Sequence, residues 1–452
     1  MKTRLRWAWL VLALAGLAGC GVTDDVRDDE AGVEPQAREQ AHDSRVGGET
    51  RWVLHPRGTG FDRAETVAHD RDGNIIVAGL FDERLEGGPL ALEGDGPNSV
   101  LLAKLRPDGQ RIWARTFPGD ALVRAVTVDR DRNIILAGIA DAEPVDFGGG
   151  PLSGAFLVKL DREGRHLWSR RFNRFPPNAL ATDSGGHILL AGDVVTENPV
   201  DFGSGPLSTG ADSMGVLVRF NPDGGLEWVR GGPSDFRFSH LGVTVDSRDQ
   251  VYTSGGDRHG RPFIEKVSPD GRQLWMHVLD TVGEVFDVAV HGNRVVATGN
   301  FSDPFTFRGR ELLPSASLLG VFLVAYTRDG EERWARAIGG EFTSLAMDPR
   351  DGVIVTGQYP DRADLGLGPV SGDPFGGNFF VAKYDRIQGD VRWVRTFPSR
   401  EASAFDVAAA SNGESTIVGA FRAPVDFGLG PVTPTPGPDG LSDDLFILRL
   451  GE

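Results

Sequence analysis

Four aspartates stand in near-identical surroundings. Asp146, Asp201 and Asp426 fall in Val145–Leu152, Val200–Leu207 and Val425–Val432, which read VDFGxGPL or VDFGxGPV, and Asp364 falls in the altered copy Ala363–Val370. Carboxylates repeated in glycine-rich loops are first a candidate for hard-cation chemistry. Calcium takes about six to eight oxygens, however, and each loop offers a single carboxylate, so a structural turn is the expected role. The glycines open no helix and follow no strand-to-helix pattern, which argues against a dinucleotide loop. No lysine strand or catalytic loop accompanies the DFG triplets, as phosphoryl transfer would require.

Other reactive residue types are sparse. The nine histidines have no metal-ligand spacing, and neither HExxH nor GxSxG occurs. Ser268, Asp270 and Trp275 resemble a sialidase Asp-box, but Gly271 comes one place early, the box occurs once and no arginine triad can be assigned. Glycosidase chemistry needs paired carboxylates, which spacing alone does not supply here. Cys20 is the single cysteine, so an internal disulfide, a CxxC pair and the adjacent cysteines of quinone-dependent dehydrogenases are all excluded. No catalytic, cofactor-binding or metal residue is assigned, and no cofactor is expected. The chain reads as a non-enzyme.

The elements that must carry these residues repeat. Phe156–Phe172, FLVKLDREGRHLWSRRF, is an apolar strand, a polar turn and a second strand with Trp168 and Arg170. Its tryptophan returns at Trp52, Trp113, Trp228, Trp275, Trp334 and Trp393, at intervals of 47 to 61 residues. W-x-R pairs at Trp113, Trp168, Trp228, Trp334 and Trp393 place both side chains on one strand face, where tryptophan packs between repeats and arginine covers it or pairs with a carboxylate.

Each tryptophan strand is followed by a short alternating strand, ending in aspartate at Asp70, Asp129, Asp183, Asp246 and Asp348, and then by a continuous apolar strand ending in glycine. A longer loop and a third strand complete a unit of four antiparallel strands. Leu445–Leu450 is a third strand with no fourth after it, and Arg51–Val53 is a fourth strand with no third before it. Joined, they complete one unit and remove two open sheet edges. The expected fold is all-β: a seven-bladed β-propeller over residues 51–452, closed by the N-terminal strand pairing with the C-terminal strands. Only Gly256–Pro262 occupies the long-loop position of the fourth blade, which leaves a notch in the rim.

AVTVDRDRNIILAG and FLVKLDREGRHLW resemble the bacterial propeller repeats called SBBP repeats, over nearly all of residues 51–452. Asp161, Gly164 and Trp168 are also similar to the tail of quinoprotein-type propeller repeats, where tryptophan docks between blades. These resemblances imply the fold and leave the activity open.

Residues 1–20 begin with Lys2, Arg4 and Arg6, run apolar from Trp7 to Leu17 and end Leu-Ala-Gly-Cys. The apolar run is shorter than the roughly 20 residues a membrane span needs. The segment resembles a bacterial lipoprotein signal, which implies cleavage before Cys20, removal of residues 1–19 and a lipid on the Cys20 sulfur. Gly21 in place of aspartate implies, under the retention rule of Gram-negative bacteria, an outer-membrane or cell-surface address. Residues 21–50 carry nine acidic and three basic side chains and few large apolar ones, so residues 20–50 read as a flexible acidic tether.

The net charge of −17 argues against nucleic acid. The expected protein is a lipid-anchored monomer that binds or scaffolds a protein or glycan through the loop face. An accessory role in envelope assembly, and an extracellular hydrolase or lyase working in the central funnel, are the alternatives.

Overall fold

The computed structural model describes residues 47–452, apart from 59, 95, 97, 174, 195–198, 208–213, 232–238, 315–319, 351 and 438–441. The expected signal segment, Cys20 and most of the acidic tether lie outside the described residues.

Seven four-stranded antiparallel sheets follow one another along the chain. The first blade is typical: Arg63–His69, Ile75–Phe81, Ser99–Leu105 and Arg111–Phe117 pair in sequence order. Its second and third strands are buried throughout, which explains their continuous apolar runs. The fourth strand is mostly half-buried and therefore mixed in composition. First strands of neighbouring blades pack on one another around the whole ring, so they line the centre.

The seventh blade is Ala402–Ala409, Ser415–Phe421, Asp444–Leu450 and Thr50–Leu54, the last drawn from the other end of the chain. Thr50 is registered against Leu450 and Leu54 against Ile447. The ring also takes in Gly47–Thr50, which sequence analysis placed in the tether. These residues replace the turn that the other blades carry between third and fourth strands. Gly48 N donates to Glu452 O and Gly451 N to Glu49 O, and the Trp393 indole lies against Gly47 and Gly48 as Trp168 lies against Gly224.

The recurrent glycine of the second strand has a steric cause. Each first strand is irregular near its start, between Val123 and Ala125 in the second blade, and the displaced carbonyl comes forward over the sheet. A Cβ on Gly138 would lie 2.2 Å from Leu122 O, and one on Gly79 would lie 2.0 Å from Arg63 O. Only glycine fits there.

The long loops are largely two-stranded ribbons. They pair Arg84–Leu85 with Leu92–Glu93, Val200–Asp201 with Pro206–Leu207, Phe305–Phe307 with Arg310–Leu312, Arg362–Asp364 with Pro369–Ser371 and Val425–Asp426 with Pro431–Val432. In the second blade the strands Ile134–Asp146 and Pro151–Leu160 simply continue into the ribbon. The fourth blade turns directly from Val251–Gly256 to Pro262–Val267, as the notch implied.

Candidate functional site

The VDFG aspartates cap turns. Asp146 Oδ1 accepts Gly148 N at 2.7 Å and Gly150 N at 2.9 Å, and Asp201, Asp364 and Asp426 repeat the pattern. The residue after each is a wedge. Phe147, Phe202, Leu365 and Phe427 are buried, and Phe147 meets Phe117 of the preceding blade at 4.9 Å between ring centroids. The ribbons thus fill the splaying outer space between blades. Ser268 likewise sits in a turn, its hydroxyl bonded to Asp270 and to the Arg272 backbone, where other blades have Asp161 or Asn221.

The tryptophans link blades. The indole N–H of Trp52, Trp113, Trp168, Trp228, Trp275 and Trp334 donates to a carbonyl of the next blade, from Pro107, Arg162, Pro222, Pro269, Arg328 and Arg386 respectively. Trp334 and Trp393 are buried and the other five partly so. The W-x-R arginines reinforce this contact: Arg115 donates to Glu163 O, Arg336 to Gly389 O and Arg395 to Gly47 O and Gly48 O.

Four of the five strand-ending aspartates pair with a buried third-strand cation that sequence analysis did not single out, and Asp246 pairs instead with Arg328 of the next blade at 3.2 Å. Asp70 meets Lys104 at 2.8 Å, Asp129 meets Lys159 at 2.9 Å, Asp183 meets Arg219 at 2.6 Å and Asp348 meets Lys383 at 2.7 Å. The signal was present in the third strands, LLAKL, FLVKL, VLVRF and FVAKY, with a cation next to last. Where that place holds Ala325, the aspartate is replaced by His291; where Ala410 replaces the aspartate, Arg449 turns to Glu414 at 2.9 Å. Lys159, Arg219 and Lys383 also reach carbonyls of the next blade. These charges are therefore fully engaged in the frame.

The central channel is the first of two candidate sites. Midway along it, Asp406 Oδ2 accepts Thr66 Oγ1 at 2.8 Å and Val67 N at 2.9 Å, while its Oδ1 takes Ser344 Oγ at 2.7 Å. Asp287 Oδ2 accepts Leu345 N at 2.9 Å. Burial pushes the Asp287 carboxyl up to about 7, aided by the Asp406 charge, and raises Asp406 as well. The matching positions across the ring are Ala125, Ala179 and Gly242, so the polar stitching covers only the arc from the fifth blade to the first.

At the ribbon-side mouth Glu65, Arg124, Asp193 and Glu284 gather. The Arg124 guanidinium feels both Glu65 and Asp193, and Asn178 Nδ2 donates to Asp193 Oδ2 at 2.9 Å. Burial raises Glu65 against the pull of Arg63 and Arg124; burial and then the Asp193 charge raise Glu284. At the opposite mouth a cavity of 290 Å³ is bordered by His69 and the turns at Asp70, Asp129, Asp183 and Asp246. Burial and the neighbouring Arg449 push His69 down to about 4, so it is neutral at pH 7.

The second candidate site is on the rim. Among the described residues the most exposed large apolar side chains are Phe375 at 73%, Leu429 at 62% and Leu313 at 59%. All three lie in the connections between second and third strands of the fifth, sixth and seventh blades, which are consecutive. Arg400 stacks over Phe375, 4.7 Å from its ring centroid. Beside Leu313 a cleft of 550 Å³ opens between the fifth and sixth blades, lined in part by Leu312, Ile338, Leu367 and Val391. The sequence alone does not show that these three side chains, among the many apolar ones, are left exposed.

No protein-family model matches the chain. A WD repeat-containing protein of Acanthamoeba polyphaga mimivirus, itself uncharacterised, is 27% identical over 167 residues, covering 30% of this chain. The chain spans 12% of the length of that relative. Among solved structures the WD40 domain of Neurospora crassa Pan2 matches with a TM-score of 0.50 at 10% identity, over 90% of this chain and 96% of that one. The Dos1 propeller gives a TM-score of 0.47 at 9% identity, over 90% and 95%. By blade count, strand order and the likeness to the Pan2 WD40 domain, the chain is an all-β, seven-bladed propeller of WD40-like architecture.

Proposed function

We propose that this protein is a lipid-anchored cell-envelope propeller that binds a protein partner without catalysing a reaction on it. Three large apolar side chains left exposed in the loops of three consecutive blades, Leu313, Phe375 and Leu429, carry the reading. Large apolar side chains held in solvent, with an arginine stacked on the aromatic one, have the composition of protein-binding hot spots. The likeness to WD40 domains, a fold widely used for protein scaffolding, supports it. The lipid anchor on Cys20 and the outer-membrane or surface address rest on the sequence of residues 1–21, and the SBBP assignment on the repeats. One partner of stated kind is an outer-membrane assembly component, as in the accessory-lipoprotein alternative.

The test is in-cell crosslinking and pull-down of the full chain beside a variant carrying Leu313→Ser, Phe375→Ser and Leu429→Ser. Loss of a captured partner with an unchanged melting temperature supports the rim site. Equal capture by both proteins removes it. Shortening the Val145–Leu152 and Val200–Leu207 loops is a poorer test, because Phe147 and Phe202 are wedges whose loss destabilises the ring.

Glu65, Asp193 and Glu284 at the channel mouth favour a second reading, a hydrolase or lyase in the funnel, since carboxyls with raised pKa suit acid–base work. Polysaccharide turnover by the wild type that Glu284→Gln abolishes would replace the binding reading with this one.

A further inference from the structure

Four side chains stand at one level along half of the central channel, each just after the irregularity near the start of a first strand: Asp287 of the fifth blade, Ser344 of the sixth, Asp406 of the seventh and Thr66 of the first. Asp406 is the hub. Thr66 Oγ1 donates to its Oδ2 at 2.8 Å and Ser344 Oγ to its Oδ1 at 2.7 Å, while the amides of Val67 and Val407 add bonds of 2.9 and 2.8 Å. Four donors suit an ionised carboxylate. Asp287 is supplied more thinly, by Val288 N at 2.8 Å and Leu345 N at 2.9 Å, and its Oδ2 stands 3.5 Å from Ser344 Oγ.

Between Asp287 and Ser344 the donors run out. A serine hydroxyl has one hydrogen to give and lone pairs to receive with. Ser344 gives its hydrogen to Asp406, the nearer carboxylate, so a lone pair is what it turns to Asp287. With Asp287 ionised, two oxygens face one another with no hydrogen between them, and two carboxylates flank one hydroxyl, where both do not ionise cheaply. A proton on Asp287 Oδ2 completes the row: Asp287 donates to Ser344, and Ser344 to the Asp406 carboxylate. Among the described residues the neighbouring groups offer no substitute donor. Gly242 of the fourth blade has no side chain, the Thr298 hydroxyl on the adjoining strand donates to Phe322 O at 3.1 Å, and Glu65 and Glu284 belong to the ribbon-side mouth.

We propose that Asp287 and Asp406 share a single proton near neutral pH, seated on Asp287 and directed through Ser344, and that its loss loosens the arc of first strands from the fifth blade to the first. Burial raises both carboxyls, and the Asp406 charge helps to push Asp287 up to about 7, above the roughly 3.9 of an unfolded aspartate. The proton therefore holds the arc in acid, and its contribution drains away as pH rises through about 7. The opposite arc, with Ala125, Ala179 and Gly242 at the same level, has nothing there to titrate. Slackening in alkali is thus confined to one side of the ring.

The experiment follows amide hydrogen exchange and the infrared carboxylic-acid C=O stretch of the full chain from about pH 5 to about pH 9. The Leu345 and Val67 amides donate to the two carboxylates. Beyond the intrinsic pH dependence of exchange, their protection should fall by up to about tenfold per pH unit above about 7, and it should stay level in Asp287→Asn. The share of the carboxylic-acid band that Asp287→Asn lacks should fade through about pH 7 in the wild type. In Asp406→Asn the same band should fade at lower pH, because the like charge is gone. Level protection in the wild type overturns the loosening and needs no variant to fold. A band that Asp406→Asn leaves unshifted shows two acids titrating apart and overturns the shared proton.

Discussion

At the residue scale, the positions that looked chemically promising proved to be bonds within the frame. A carboxylate such as Asp146 is taken up by two amides of its own turn, and Asp348 is locked to Lys383 with both side chains almost wholly buried. Two acids with raised proton affinity, Asp287 and Asp406, lie in the channel. Asp287, pushed up to about 7, has a folded pKa above the roughly 3.9 of an unfolded aspartate. Its contribution to stability is therefore full below about pH 4 and drains away as pH rises through about 7. Asp287→Asn mimics the protonated form and removes this dependence. The midpoint of the variant relative to wild type should rise as the buffer goes from about pH 5 to about pH 8, as read by thermal melts across that series. A constant difference would mean that Asp287 is ionised throughout.

At the scale of elements, the second-strand glycine and the first-strand irregularity are two halves of one device. Gly138→Ala would press its methyl against Leu122 O and against the Phe156 ring, 2.7 Å away. The expected cost is about 1–3 kcal/mol, as for other overpacked core sites, measured as a lower urea midpoint. An unchanged midpoint would show that the strand can flatten. The ribbons follow a similar logic: blades diverge outward, and Phe147, Phe202 and Phe427 fill the widening gap. That is why a motif recurring in loops is conspicuous in sequence without being a ligand site.

At the scale of the whole molecule, closure depends on one strand. Asp444–Leu450 pairs on one side with Ser415–Phe421 and on the other with Thr50–Leu54, and Leu445, Phe446, Ile447, Leu448 and Leu450 are fully buried. Side chains of this kind contribute about 1.5–3 kcal/mol each, together comparable to the roughly 5–15 kcal/mol of an entire domain. Deleting Leu445–Glu452 should abolish the cooperative melting transition, and a chain that still melts as wild type would refute closure by this strand.

The repeat period, the strand order and the complementary ends were legible in residues 51–452, because blade packing demands tryptophan, glycine and aspartate at fixed places in every repeat. The Asp–Lys pairs were half legible, since the aspartate ends a strand conspicuously while the cation hides inside an apolar run. The exposure of Leu313, Phe375 and Leu429, and the gathering of Glu65, Asp193 and Glu284 at one mouth, were decided by the tertiary structure alone. A ring brings together residues from separate blades, and no local pattern in the chain records which of them become neighbours.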